Sequence, residues 1–137
     1  MPKGIFITLE GPDGSGKSTQ VENIRAYFVS NGREVVVSRE PGGTSISEKL
    51  RSIVLDNANA EMDDVTEMLI YAAARAQHVA EKIKPALERG AVVVCDRFVD
   101  SSIAYQGFGR NLGDQVSEVN RYATCGLEPD VTFFMDL

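Results

Sequence analysis

The sequence predicts an α/β protein in which a parallel sheet lies between two layers of helices, and three observations carry that prediction. Gly4-Ile5-Phe6-Ile7-Thr8-Leu9 is an apolar, β-branched run with no breaker, as a buried parallel strand requires. It leads through a glycine-rich turn into Val21, Ile24, Arg25 and Phe28, which are set at helical spacing. Further apolar runs and helical patterns then alternate to the end of the chain, the order that puts helices on both faces of a parallel sheet.

The elements follow in turn: a strand at 5–9, a helix at 17–30, a strand at 34–38 and a helix at 45–55. A longer helix at 64–83 continues past Pro85 as a separate turn to Arg89. A strand at 91–95, a helix around 100–105, a helix at 114–125 and a strand at 131–135 complete the pattern. Turn signals separate them: Asn31-Gly32, Pro41-Gly42-Gly43, Arg89-Gly90, Gly126 and Glu128-Pro129-Asp130. On the long helix, Leu69, Ala72, Ala73, Ala76, Ala80 and Ile83 form an apolar stripe expected to face the sheet. Tyr71, Arg75 and His78 fall on the opposite side, and His78 reads as a surface residue. Val116, Val119, Tyr122 and Ala123 read as the packing face of the helix at 114–125.

With 137 residues the chain is expected to form one domain, 1–137, with a single core. Its net charge of −6 argues against a general binder of nucleic acid or anionic membrane, so any phosphate site must be built from a few placed cations. Cys95 and Cys125 have no metal-ligand spacing and read as buried thiols in a reducing compartment. The start, Met-Pro-Lys-Gly-Ile, lacks a signal-peptide core, and no apolar run reaches the length of a membrane span. A cytoplasmic protein is the expectation.

Residues 10–19, Glu-Gly-Pro-Asp-Gly-Ser-Gly-Lys-Ser-Thr, match G-x-x-x-x-G-K-[ST] between the first strand and the first helix. Gly14 and Gly16 allow positive φ and close approach of the backbone to a ligand. The amides along Gly11, Pro12, Asp13, Gly14, Ser15, Gly16, Lys17, Ser18 and Thr19, proline itself lacking an N–H, can then form a nest for the phosphates of a nucleoside triphosphate. Lys17 reaches the terminal phosphates, Ser18 can ligate Mg²⁺, and the helix start adds its positive dipole end. Ligands of such sheets sit beyond the carboxyl ends of the strands, which directs attention to the loops after Leu9, Ser38, Cys95 and Met135. Asp96, after a buried run, can hold Mg²⁺ through water or form a structural ion pair with Arg97. Arg39 and Glu40 are equally compatible with a plain Pro-Gly-Gly turn, and Glu10 with a local pairing. Tyr71 and Arg75, an i,i+4 pair, can hold a flat heterocycle or form a solvated face.

Four motifs in order, Glu10–Thr19, Arg39-Glu-Pro-Gly-Gly-Thr44, Tyr71-Ala-Ala-Ala-Arg75 and Asp96-Arg-Phe-Val-Asp-Ser-Ser-Ile-Ala-Tyr-Gln-Gly107, resemble the bacterial thymidylate kinases across essentially the whole chain. The resemblance implies the P-loop NTPase fold, with four of its five strands present, and phosphorylation of dTMP to dTDP by ATP and Mg²⁺ in dTTP synthesis. It implies Lys17, Asp13 and Arg97 as catalytic residues and Ser18 with Asp96 as metal ligands. For dTMP it implies Asp13 near the sugar and phosphate, Arg97 and Arg51 on the phosphate, and Glu40 bordering that site. Arg75 would meet the thymine edge, Tyr71 would stack, Ser102 and Gln106 would read the base, and Tyr105 would crowd the 2′ position. The family pattern also implies a homodimer. It continues beyond Leu137 with a lid, an adenine-side loop, a fifth strand and further helices, so a longer kinase is expected, with this stretch weakly active by itself. Two alternatives stay open: another P-loop nucleoside or nucleoside monophosphate kinase, and a nucleotide-binding module without transfer activity. No Asn-Lys-x-Asp guanine motif is present.

Overall fold

A computed structural model of the chain describes residues 3–12, 14–40, 43–98 and 114–135. Four parallel strands, β1 (Ile5–Glu10), β2 (Val35–Arg39), β3 (Val92–Asp96) and β4 (Val131–Phe134), form one sheet in the order β2-β3-β1-β4. Helices α1 (Lys17–Ser30), α2 (Ser45–Leu55), α3 (Asp64–His78), α4 (Lys84–Glu88) and α5 (Asp114–Ala123) complete the described elements, with a 3₁₀ turn at Asn57–Asn59. Predicted and observed elements agree to within one or two residues, while the helix expected around 100–105 lies outside the described residues.

Alternation along each strand divides the core into two layers. Ile7, Leu9, Val92 and Val94 point to one face, where Val21, Ile24 and Phe28 of α1 cover them. Phe6, Val93 and Cys95 point to the other, against Val79, Ile83, Ala86 and Phe98. Gly4 lies where a Cβ would meet the Leu87 carbonyl oxygen at 2.5 Å, so α4 can press directly on the start of β1. The long helix is interrupted by a π-turn at Val79–Ile83, where the Lys84 N–H donates to the Val79 carbonyl five residues back. Pro85 explains it, because its ring would strike the carbonyl four residues earlier and the wider turn moves that carbonyl aside.

The expected faces of two helices are corrected. Met68, Ala72, Arg75, His78, Val79 and Ile83 are buried, whereas Leu69 is 51% exposed and Ala73 and Ala80 also face outward. His78 is therefore a core residue with no exposed surface. Counting apolar side chains favours the Leu69 stripe, but a fully partnered polar set occupies the buried face instead. On α5 the buried row is Val116 and Asn120, continued by Thr124, and Tyr122 is 89% exposed.

The two cysteines also differ. Cys95 is buried, and loss of hydration, followed by the nearby Glu40 charge, pushes its thiol well above the ordinary range. Cys125 is exposed, contrary to the expectation of two buried thiols. Thiolate is the reactive form, so brief alkylation of the native protein at neutral pH should modify Cys125 and spare Cys95. Mass mapping that finds Cys95 modified at a comparable rate would contradict this packing.

Candidate active site

The carboxyl ends of the strands are level, with Leu9 beside Asp96 and Arg39 on Asp96's other side. β1 sends its crossover toward β2, while β3 sends its own toward β4, so the switch point lies between β3 and β1. The glycine loop emerges there. Gly11, Gly14 and Gly16 have φ of 147°, 81° and 90°, values that side chains resist. A Cβ on Gly11 would also meet the Met135 carbonyl oxygen at 2.6 Å, whereas nothing lies within 4 Å of one on Gly16. Gly16 thus caps α1 in the left-handed conformation, beside open space.

Lys17, the first residue of α1, is only 5% exposed, and its Nζ lies 3.0 Å from Asp96 Oδ1 across the switch point. That oxygen is buried and accepts no hydrogen bond of good geometry despite the short distance. Ser18 and Asp96 line the same cavity of about 550 Å³, which Arg39, Thr44, Glu48 and Lys82 help to wall. One carboxylate and one hydroxyl facing a shared space fit Mg²⁺, which takes few protein ligands and completes its shell with water and phosphate oxygens.

The loop after β2 is tied down at several points. Glu48 accepts from the Gly43 N–H at 3.2 Å and from Arg39 Nη2 at 2.9 Å. The Gly43 N–H, with Arg39 and Arg51 nearby, holds the Glu48 carboxylate below its usual range. This tie persists above that range and is lost only as pH falls through the lowered value. Thr44 caps α2 through the Ser47 N–H, and Ser47 Oγ donates to the Ala74 carbonyl at 2.7 Å, fastening α2 to α3.

Glu40 is buried, accepting from Arg75 Nε and facing His78 Nδ1 at 2.5 Å. Arg75 also donates to Asn120 Oδ1, and its guanidinium lies 5.2 Å from the centre of the Phe98 ring. Tyr71 sits one turn earlier on α3 and Arg51 on α2, both half-buried. Of the predicted residues, the fold brings Lys17 to Asp96 and Glu40 to Arg75 directly. Asp13, Ser102, Tyr105 and Gln106 lie outside the described residues. Glu10 is buried and accepts from the Phe98 N–H at 2.9 Å, a contact across the sheet rather than with a sequence neighbour. His78, Asn120 and Phe98 were not singled out as parts of this cluster. For His78 and Asn120 a polar residue at a core-facing helical position is the only signal, legible once the correct faces are known.

Arg97 carries a distinctive backbone. Its φ is 70°, its N–H donates to the Leu9 carbonyl at 2.8 Å, and Cys95 Sγ contacts its carbonyl at 3.2 Å. A non-glycine residue held this way directly after Asp96 stores strain where the strands end. Arg97→Gly should accordingly be more stable than Arg97→Ala by about 1 kcal/mol, with both variants equally impaired in any role of the guanidinium. Thermal unfolding of the two variants tests this, and an alanine variant at least as stable as the glycine one would contradict it.

A family model described as thymidylate kinase matches residues 9–137. The thymidylate kinase of Lactobacillus delbrueckii subsp. bulgaricus is 58% identical over 137 residues, covering 98% of this chain and 65% of the relative. That of Clostridium novyi is 51% identical over 138 residues, covering 100% of this chain and 67% of the relative. The crystal structure of thymidylate kinase from Ehrlichia chaffeensis superposes with a TM-score of 0.88 at 38% identity, covering 99% of this chain and 78% of that one. The chain therefore spans about two thirds of the length of the curated relatives it matches. With a glycine loop, a buried Lys17 against Asp96 and this breadth of likeness, the chain belongs to the thymidylate kinase family.

Proposed function

We propose that this chain supplies the phosphate-gripping and acceptor-binding parts of an enzyme that transfers the terminal phosphoryl group of ATP to dTMP, giving dTDP for dTTP synthesis. The observation that carries the reading is the meeting of Lys17 and Asp96 at the mouth of the glycine loop, in a chain of this family. A phosphate monoester is already an anion at neutral pH, so the acceptor needs no strong base. The work left to the protein is alignment and neutralisation of charge. Lys17 and the loop amides would hold the donor phosphates, and Arg97 and Arg51 the acceptor phosphate. Arg75 and Tyr71 would meet the base, with Ser102 and Gln106 reading its edge, Tyr105 against the sugar and Asp13 near the phosphate. Ser18 and Asp96 would hold Mg²⁺, which when bound offsets the charge of the donor phosphates. The buried Cys95 thiol suits a cytoplasmic protein.

The same reading includes a homodimer. Val65, Leu69 and Ala73 make an exposed apolar row on α3, and Ile46 and Ile53 are exposed on the adjoining α2. Such a row on a packed helix pair is suited to burial against a second copy. Leu69→Asp should shift the protein toward monomer in sedimentation velocity, and an unchanged distribution would remove α3 from the interface.

Calorimetric titration of the chain with dTMP, UMP, CMP and GMP, in the absence of triphosphate, is expected to show preferential binding of dTMP. Equal binding of all four would refute the proposed acceptor. Lys17→Ala should keep the circular dichroism spectrum but weaken ATP binding by about tenfold or more, as loss of a charge-assisted contact does. A folded Lys17→Ala chain with unchanged ATP affinity would refute the role given to the lysine.

A further inference from the structure

A buried polar chain runs beneath the sheet end. Ser38 Oγ lies 2.6 Å from His78 Nε2, and His78 Nδ1 lies 2.5 Å from Glu40 Oε2. Glu40 Oε1 accepts from Arg75 Nε, Arg75 Nη1 donates to Asn120 Oδ1, and Asn120 Nδ2 donates to the Val116 carbonyl at 2.8 Å. All five side chains are buried. A well-packed apolar set in this position would often be as stable or more so, so the charges call for a purpose other than stability.

The chemistry of the links assigns the imidazole's protons. An ionised carboxylate only accepts, so Nδ1 carries the hydrogen toward Glu40, while Nε2 lies against the Ser38 hydroxyl. Ser-His-Glu connectivity also serves nucleophiles, but here Glu40 is shared with Arg75 and Ser38 is buried beneath the Gly43 backbone. A Cβ on Gly43 would come within 2.6 Å of both His78 Cδ2 and Nε2 and within 2.8 Å of Ser38 Oγ. One rigid ring therefore braces the loop after β2 on one side and orients Glu40 on the other. Glu40 and Asn120 between them engage two of the three guanidinium nitrogens of Arg75, whose plane lies near the Phe98 ring.

We propose that His78 is a positioning residue for recognition of the acceptor base: through Glu40 it fixes the guanidinium of Arg75 and locks that orientation to Ser38 at the end of β2 and to Gly43 in the loop beyond it. This rests on the assignment of Arg75 to the base. Nδ1 of the ring is the nitrogen that matters, which allows a sharp test. In His78→Asn the amide nitrogen takes the place of Nδ1 and still donates to Glu40. In His78→Gln the longer side chain reaches toward Ser38 and abandons Glu40.

Calorimetry with dTMP and separately with ATP, together with thermal unfolding, is run on the parent chain and both variants. The expected result is a loss of dTMP affinity of about tenfold or more in His78→Gln, and affinity within about threefold of the parent in His78→Asn. ATP affinity should be unchanged in both, while both lose thermal stability. Equal dTMP affinity in the two variants, or a loss that merely follows their unfolding temperatures, would overturn the proposal. A parent chain that binds ATP but not dTMP would instead overturn the functional reading beneath it. Should a variant fail to fold, the ¹⁵N spectrum of the parent imidazole decides: a hydrogen on Nδ1 supports the proposal, and a bare Nδ1 overturns it.

Discussion

Parallel pairing of β1 with β3, in the register that sets Leu9 beside Asp96, is the constraint on which the rest of this structure depends. It makes the two strands end at the same height, so that the loop leaving one and the acidic residue closing the other share one crevice. Lys17 and Asp96 can then meet at 3.0 Å although they are far apart in the chain. A slip of β1 by one residue would turn Phe6 away from the face it shares with Val93 and Cys95 and shift Leu9 from its place beside Asp96. The apolar alternation that builds the two cores therefore also sets the geometry at which Lys17 meets Asp96.

Around that crevice the protein accepts local costs. Arg97 has a left-handed backbone, and Glu40, His78 and Arg75 are charged or polar groups removed from water. Such features persist only where surrounding contacts over-determine them. Here they do: the Arg97 N–H is held by Leu9, the following N–H by Glu10, and Glu40 is bonded on both oxygens. Arg97, Glu40, His78 and Arg75 gather at the carboxyl end of the sheet. At the opposite end Gly4 packs closely against the Leu87 backbone, and the Phe6 N–H donates to Asp130 Oδ2 at 2.8 Å.

The π-turn has its place in the same scheme. Pro85 forces it, and beyond it α4 turns so that Ala86 enters the core beneath β1 and β3. His78 is the last residue of α3 before the widened turn, and Val79 and Ile83 anchor the turn itself in the core. The position of the imidazole against Glu40 is thus set by packing on both sides of it.

By itself the sequence determined the order of elements, the glycine loop and its lysine, and the loops that carry the site. Each of these depends on near neighbours: strand runs without breakers, glycines at positive φ, and turn residues between periodic segments. It also pointed to Glu40, Arg75 and Asp96 as residues of interest, each through a motif whose own residues lie within a few positions of one another. Only the tertiary structure decided which helix faces are buried. On α3 and α5 the expected apolar stripes are only partly buried, with Leu69, Ala73 and Tyr122 outward, and Arg75, His78 and Asn120 went inward. Burial of a polar side chain depends on partners up to 45 residues away, as Arg75 and Asn120 are, and no local pattern records whether those partners will arrive.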